Sequence, residues 1–146
     1  MSEKSGKIWK RNATIEALQH MCKGTMCEHL DMRFTEIGDD FLTATMPVDG
    51  RTKQPAGLLH GGASVALAES LGSIASALCL VDDTRMPVGI EINANHLKSA
   101  TSGVVTGRCR PIRVGHALHV WNIEIHNDKG DLVCVSRLSV MIVDRR

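Results

Sequence analysis

The segment from Gly61 to about Val81 constrains the fold of this chain most, because it is long, mostly apolar and almost free of charge. Glu69 is its one charged residue, and the nearest other charges along the chain belong to Lys53 and Asp82. A helix with so little polar surface is stable only when neighbouring elements cover most of it. Its large apolar residues recur at helical spacing, namely Leu67, Leu71, Ile74 and Leu78.

Alternating apolar and polar residues on both sides of this helix predict β-strands that form the cover. Turn signals at Gly38-Asp39-Asp40 and Asn127-Asp128-Lys129-Gly130 favour antiparallel hairpins. Ahead of the strands, Thr14 is a candidate N-cap for a short helix that ends near Gly24. The predicted strands are 32–37, 42–46, 88–94, 104–111, 121–125 and 132–143.

This order of elements predicts an α+β domain in which one antiparallel sheet wraps around the long helix. A curled sheet still has exposed edges, and pairing with a second copy is the usual way to cover one. We therefore expect at least a dimer. Residues 1–12 are predicted to be a flexible tail, and residues 13–146 the single domain that a chain of 146 residues can build.

Composition excludes several classes of partner. A formal net charge of +1 and only two Trp, two Phe and no Tyr leave neither the charge nor the stacking surface of a nucleic-acid-binding protein. No apolar run reaches the roughly 18 residues of a membrane helix, so no membrane insertion is expected. The polar N-terminus shows no secretory signal. The five cysteines lack CxxC spacing and are typical of reduced thiols in the cytoplasm.

Two groups of potential metal ligands fail on spacing. Cys22, Cys27 and His29 lie close together in the sequence, but no second ligand pair follows at the distance found in zinc fingers. His116 and His119 lack a nearby third ligand. We therefore expect no metal ion in this protein.

Glu69 is the strongest candidate for chemistry. At 100° per residue it stands opposite the apolar stripe of the long helix. An ordinary helical glutamate would point into solvent, but the absence of any other charge nearby favours a functional role. A carboxylate among small residues can act as a base or as a nucleophile. The residues on its face leave open volume around it, namely Gly62, Val65, Ala66, Gly72, Ser73 and Ser76.

Gly61 and Gly62 open the same helix. Two glycines at a helix start let a ligand approach free backbone N–H groups at the positive end of the helix dipole, where an oxyanion or a carbonyl oxygen would be held. A plain entry turn explains the pair equally well. His60, directly before them, either orients a carbonyl group or caps the helix.

A second polar cluster lies at the end of the predicted strand that begins at Val88. It runs from Asn93 to Ser99, and together with the segment from Arg113 to His116 it supplies cationic and hydrogen-bonding groups suited to phosphates. Exposed loops often have the same composition, so this cluster alone does not decide between a binding site and a surface.

Three segments resemble the hotdog-fold acyl-CoA thioesterases of the phenylacetate-degradation and 4-hydroxybenzoyl-CoA type: Met46–Ser73, Gly89–His96 and Val120–Ile125. The most specific part is His-Gly-Gly-Ala at 60–63 followed by Ala-Glu-Ser at 68–70. The resemblance extends from about Ile8 to Val143 and departs around Val81–Pro87. It implies a hotdog fold and hydrolysis of an aromatic acyl-CoA, with 1,4-dihydroxy-2-naphthoyl-CoA as the first candidate. It also implies that no organic cofactor is needed.

The resemblance implies a role for each matching position. Glu69 matches the catalytic carboxylate, Gly61 and Gly62 match the donors to the thioester carbonyl, and Gln54, His60 and Ser73 match residues that orient the reacting groups. The loop with Gln54 and the helix with Glu69 come from different subunits in such enzymes, which form dimers or homotetramers. The positions that match the coenzyme A surface are Gly89, His96, Leu97, Lys98, Ser99, Arg113, Val114, Gly115, His116 and Ala117.

Three alternative functions remain open from the sequence. A proofreading thioesterase would act on aryl-carrier-protein thioesters instead of a CoA ester. A hotdog hydratase or dehydratase would leave the thioester intact. A non-catalytic acyl-CoA-binding protein would release no thiol and would not need Glu69.

Overall fold

A six-stranded antiparallel sheet wraps around one long helix in the computed structural model, which describes residues 6–146. The predicted α+β architecture is therefore confirmed. The strand order in the sheet is β1-β2-β4-β5-β6-β3. The elements are α1 (Ile15–Met21), α2 (Met26–His29), β1 (Arg33–Ile37), β2 (Leu42–Pro47), α3 (Gly61–Leu78), β3 (Arg85–His96), β4 (Val104–Val114), β5 (Leu118–His126) and β6 (Leu132–Asp144).

Helix α3 is the centre of the core. Apart from Gly62, each of its residues is buried or half-buried. Leu67 and Leu71 are fully buried, as are Ile123 of β5 and Leu138 of β6 on the facing sheet. The sheet therefore supplies the cover that the uncharged helix requires. No helix among the residues that the structure describes is long and apolar enough to span a bilayer.

The predicted open volume around Glu69 is smaller than its helical face suggested. Gly72 is buried against Leu138, whose Cδ2 would lie 2.5 Å from a methyl group at position 72. Ser76 is also buried, and its Oγ accepts a 2.7 Å hydrogen bond from Trp121 Nε1. The prediction was wrong for these two residues because the sheet curls far enough around α3 to cover them.

The segment predicted to be a tail packs against the domain over residues 8–11, while residues 1–5 lie outside the described part of the chain. Trp9 is 7% exposed, stacks on Trp121 and donates a hydrogen bond to the Gly38 carbonyl. The backbone N–H groups of Lys10 and Arg11 donate to the carbonyl of Leu78. The helix ends at Leu78, three residues before the predicted Val81.

Strand β3 lies at one edge of the sheet and is longer than predicted, since it begins at Arg85. It contains Pro87, which is tolerated at an edge because one side of the strand needs no ladder hydrogen bonds. Its pairing with β6 shifts register between Gly89 and Glu91, so Ile90 is an extra residue in a β-bulge. The bulge falls beside the middle of α3, where the candidate site lies.

Candidate active site

Glu69 stands on α3 and reaches the inner face of the edge strand β3. A methyl group at Gly89 would lie 2.5 Å from Glu69 Oε1, so the carboxylate rests on a strand position without a side chain. Glu69 is half-buried, and no hydrogen bond or ion pair within residues 6–146 engages its carboxylate. The carboxylate is therefore unpaired within the described part of the chain.

The start of α3 carries two histidines. His60 is the N-cap, and its Nδ1 accepts a 2.8 Å hydrogen bond from the Gly62 N–H. His96, at the end of β3, lies over Gly61, with its Nε2 2.8 Å from the position of a methyl group there. Of the two interpretations of His60, the structure therefore shows the helix cap. A cavity of about 270 Å³ borders this helix start and is lined by residues that include Met26, Leu30, Lys53, His60 and Gly62.

Gln54 belongs to the loop between β2 and α3, and its side chain turns back onto that loop. The side-chain Oε1 of Gln54 accepts a hydrogen bond from the Ala56 N–H. The backbone N–H of Gln54 donates to the Leu58 carbonyl. In the described chain no hydrogen bond joins Gln54 to Glu69. Ser73 lies one turn after Glu69 on α3 and is half-buried. One chain thus brings Glu69, Ser73 and Gly89 together, but it does not bring Gln54 to them.

Nine of the ten predicted coenzyme A residues fall into two groups at opposite ends of β3, and the tenth, Gly89, lies within the strand. His96 ends the strand, and Leu97, Lys98 and Ser99 follow it as exposed residues, with Lys98 Nζ 2.7 Å from Asp131 Oδ2. At the other end, Arg85 Nη2 donates a 2.7 Å hydrogen bond to the His116 carbonyl. A strand of this length spans roughly 36 Å. A single chain therefore does not join the two groups into one site.

The second group, Arg113–Ala117, forms the end of β4 and the turn into β5. All five residues are exposed or half-exposed. A cavity of about 490 Å³ lies against this turn, lined by residues that include Lys10, Arg85, Gly115 and His116. Cationic groups at its mouth suit an anionic ligand.

Cysteine chemistry plays no part in this arrangement. Burial raises the pKa of the Cys79 thiol and of the Cys22 thiol to about 11, so both are protonated at neutral pH. Burial also raises the pKa of Cys109 and Cys134. The remaining thiol, Cys27, contacts the Ser70 hydroxyl at 3.5 Å. Glu69, in the middle of α3, is thus a better candidate nucleophile or base than any of these thiols.

Two contacts that the sequence did not reveal complete the geometry: Glu69 on Gly89, and His96 over Gly61. The sequence marked all four residues, but it assigned Gly89 and His96 to coenzyme A alone. A glycine at an inward position of an alternating strand was the available signal, because such a position otherwise carries a core side chain.

Comparison with known proteins gives a consistent result. The thioesterase superfamily model matches residues 56–134. The chain is 57% identical to 1,4-dihydroxy-2-naphthoyl-CoA hydrolase of Escherichia coli (strain K12), over 93% of this chain and 99% of that protein. It is 51% identical to proofreading thioesterase EntH of Cronobacter sakazakii, over 93% of this chain and 98% of that protein. The crystal structure of thioesterase HI1161 from Haemophilus influenzae superposes with a TM-score of 0.91. The two chains are 46% identical, and the match covers 94% of this chain and 95% of that one.

Proposed function

This chain belongs to the thioesterase superfamily and hydrolyses acyl-CoA thioesters, and we propose that its substrate is 1,4-dihydroxy-2-naphthoyl-CoA, with Glu69 as the catalytic carboxylate. The observation that carries the proposal is the carboxylate of Glu69. It is the one charged group of α3. Within the described chain it has no hydrogen-bond or ion-pair partner, and it lies against Gly89, which has no side chain. Family membership decides against the hydratase and the non-catalytic alternatives.

Glu69 would act in one of two ways. As a base it takes a proton from a water molecule, whose oxygen attacks the thioester carbon; as a nucleophile it attacks that carbon itself, and water then cleaves the anhydride. In both cases the carbon–sulfur bond breaks and the thiolate of coenzyme A leaves. The small residues beside Glu69, such as Ala66 and Ser73, leave room for the acyl group.

The start of α3 would stabilise the negative charge on the carbonyl oxygen. Backbone N–H groups at a helix start act as an oxyanion hole when a carbonyl oxygen replaces their existing partner. The Gly62 N–H is held by His60 Nδ1 in the free chain. Binding of the thioester would therefore take this donor from His60 and free the imidazole to orient the leaving group.

We propose that two copies pair through β3, and the separation of the two coenzyme A groups supports this. Strands related by a two-fold axis run antiparallel when they pair edge to edge. The Arg85 end of one β3 then lies beside the His96 end of the partner strand. Such a dimer places the turn at Arg113–Ala117 of one protomer near His96–Ser99 of the other, which forms one coenzyme A surface.

A homotetramer would follow from the outer face of the sheet. Val88, Met141 and Leu118 are direct cross-strand neighbours on β3, β6 and β5. They are 40%, 44% and 36% exposed. An exposed apolar patch of this kind favours the packing of one dimer on another. The free thiols at all five cysteines support a reducing compartment, which we propose is the cytoplasm.

A thiol-release assay over a substrate panel tests the proposal. The panel contains 1,4-dihydroxy-2-naphthoyl-CoA, benzoyl-type aryl-CoAs, fatty acyl-CoAs and an aryl-carrier-protein thioester. We expect the highest kcat/KM for the naphthoyl ester. The similarity to proofreading thioesterase EntH makes the carrier-protein thioester the second candidate, and a higher kcat/KM for it would replace the first.

A further inference from the structure

Gly89 lacks a side chain at the point where the Glu69 carboxylate lies. A methyl group at position 89 would lie 2.5 Å from Glu69 Oε1 and 3.6 Å from its carboxyl carbon. Backbone geometry does not explain this glycine, because the positive-φ glycines of the described chain are Gly24, Gly57, Gly103 and Gly130. The space taken by the carboxylate is a structural reason for a glycine here, beside the neighbouring bulge.

The bulge and a leucine of β6 shape the strand around Gly89. The bulge at Ile90 re-aims β3 next to Gly89, as bulges do beside functional sites. Leu138 is fully buried, and its Cδ1 would lie 3.7 Å from a methyl group at position 89. Its Cδ2 packs against Gly72, one turn after Glu69. Leu138 thus lies between α3 and β3 and helps to set the distance between them. At this distance the side chain of Glu69 reaches β3.

We propose that Gly89 is a positioning residue for thioester hydrolysis, because its open position fixes the carboxylate of Glu69 against β3 in the orientation that reacts. The inference rests on the proposed catalytic role of Glu69. It gives Gly89 a task other than the coenzyme A contact that the family resemblance implies.

The two tasks predict different kinetics. A displaced carboxylate lowers kcat, while coenzyme A still binds. A lost coenzyme A contact raises KM and weakens the binding of free coenzyme A, with little change in kcat. A displacement of about 1 Å in a reacting group can cost on the order of 100-fold in rate.

The experiment compares Gly89→Ala in two backgrounds, the natural Glu69 and Glu69→Asp. With Glu69 we expect kcat to fall on the order of 100-fold, while KM and the Kd of free coenzyme A, measured by calorimetry, stay unchanged. The carboxylate of Glu69→Asp is one methylene shorter and leaves room for the methyl group. In that background Gly89→Ala should change kcat far less. The same factor in both backgrounds, or a raised KM and Kd at unchanged kcat, would overturn the inference.

Two further variants keep the result unambiguous. Glu91→Ala, also on β3 but on its outer face, should leave kcat unchanged, which controls for disturbance of the strand. If Gly89→Ala melts early, Glu69→Ala in the same chain should restore the melting temperature, because it removes the atom that collides. A melting temperature that stays low in the double variant contradicts the contact. Retained activity of Glu69→Gln would instead refute the proposed function itself.

Discussion

At the scale of single residues, the position of Glu69 supports its proposed catalytic role. Most charged side chains of the described chain lie on the surface, and several of them are paired, such as Lys98 with Asp131 and Arg110 with Asp40. Glu69 differs because it is half-buried and has no polar partner there. A carboxylate in this setting is free to meet a water molecule or a thioester carbon.

Glu69→Gln tests that role directly. The amide keeps the size and the contact with Gly89 but cannot accept a proton or attack the thioester, so we expect kcat to fall on the order of a thousandfold or more. The melting temperature and the oligomeric state should not change. Glu91→Gln is the matched control on β3 and should keep full activity. Turnover of Glu69→Gln at the wild-type rate would refute the assignment.

His119 gives a pH dependence to stability. It is 2% exposed, and its Nδ1 has no hydrogen-bond partner in the described chain. Burial lowers the pKa of His119; the backbone of Gly115 opposes this effect in part, and the positive charge of Arg85 adds to it. In the unfolded chain His119 takes up a proton as the pH falls through its ordinary pKa of 6.5, whereas in the native chain it stays neutral to a lower pH. The contribution of His119 is therefore fully present above pH 6.5 and is lost as the pH falls toward the lowered native pKa.

Urea unfolding at pH 7, 6 and 5 checks this expectation. His119→Phe keeps a ring against Trp121, and its free energy of unfolding should fall less between pH 7 and pH 5 than that of the wild type. The exposed His20 provides the control, because His20→Asn should keep the wild-type pH dependence. An equal fall in the wild type and in His119→Phe would contradict the expected shift.

At the scale of elements, close contact between α3 and the sheet brings Glu69 to β3. Gly72 allows this contact, because Leu138 fills the space where a side chain would lie. The hydrogen bond from Trp121 to Ser76, one turn further along α3, satisfies both buried polar groups. The small size of Gly72 and Ser76 thus lets the helix pack close to the sheet.

Gly72→Ala should lower the free energy of unfolding. A methyl group 2.5 Å from Leu138 Cδ2 overpacks the core at a cost of about 1–3 kcal/mol. The helix propensity of alanine returns up to about 1 kcal/mol, so the net loss is smaller than the steric cost. Leu138→Val in the same chain should restore part of the stability, as measured by thermal or urea unfolding. A stabilised Gly72→Ala would show that the contact is loose.

At the scale of the whole molecule, we propose that a second copy of the chain completes the site. Gln54 turns onto its own loop and has no hydrogen bond to Glu69 within the described chain, and the coenzyme A residues lie at opposite ends of β3. The proposed pairing through the edge strand β3 would bring the two groups of predicted coenzyme A residues together. It would also cover the long unpaired edge, which would otherwise invite aggregation.

Mixing two inactive variants tests this arrangement. Glu69→Ala and Gln54→Ala each remove one residue, so each homodimer has two damaged sites. A mixed dimer has one intact site, built from Glu69 of one protomer and Gln54 of the other. After unfolding and refolding together in equal amounts, the mixture should recover about a quarter of the wild-type activity. Activity no higher than that of the separate variants would show that both residues serve the same chain.

Much of the fold was predictable because local patterns report local structure. The spacing of Leu67 and Leu71 predicted α3, and the Thr14 cap was confirmed by its hydrogen bond from the Ala17 N–H. The burial of Trp9 and the first residues of β3 were not predicted. Both depend on partners far along the chain, such as Gly38 for Trp9 and Asp144 for Arg85.

The sequence by itself determined the order of elements, the sheet around one uncharged helix, the solitary carboxylate and the resemblance to a thioesterase family. Tertiary structure alone decided that Gly89 seats that carboxylate, that Gly72 and Ser76 lie in the core, and that the predicted coenzyme A residues separate along β3. The physical reason is the range of the forces. Periodicity and capping act within a few residues, whereas these contacts form between residues more than fifteen positions apart, once the sheet has curled around the helix.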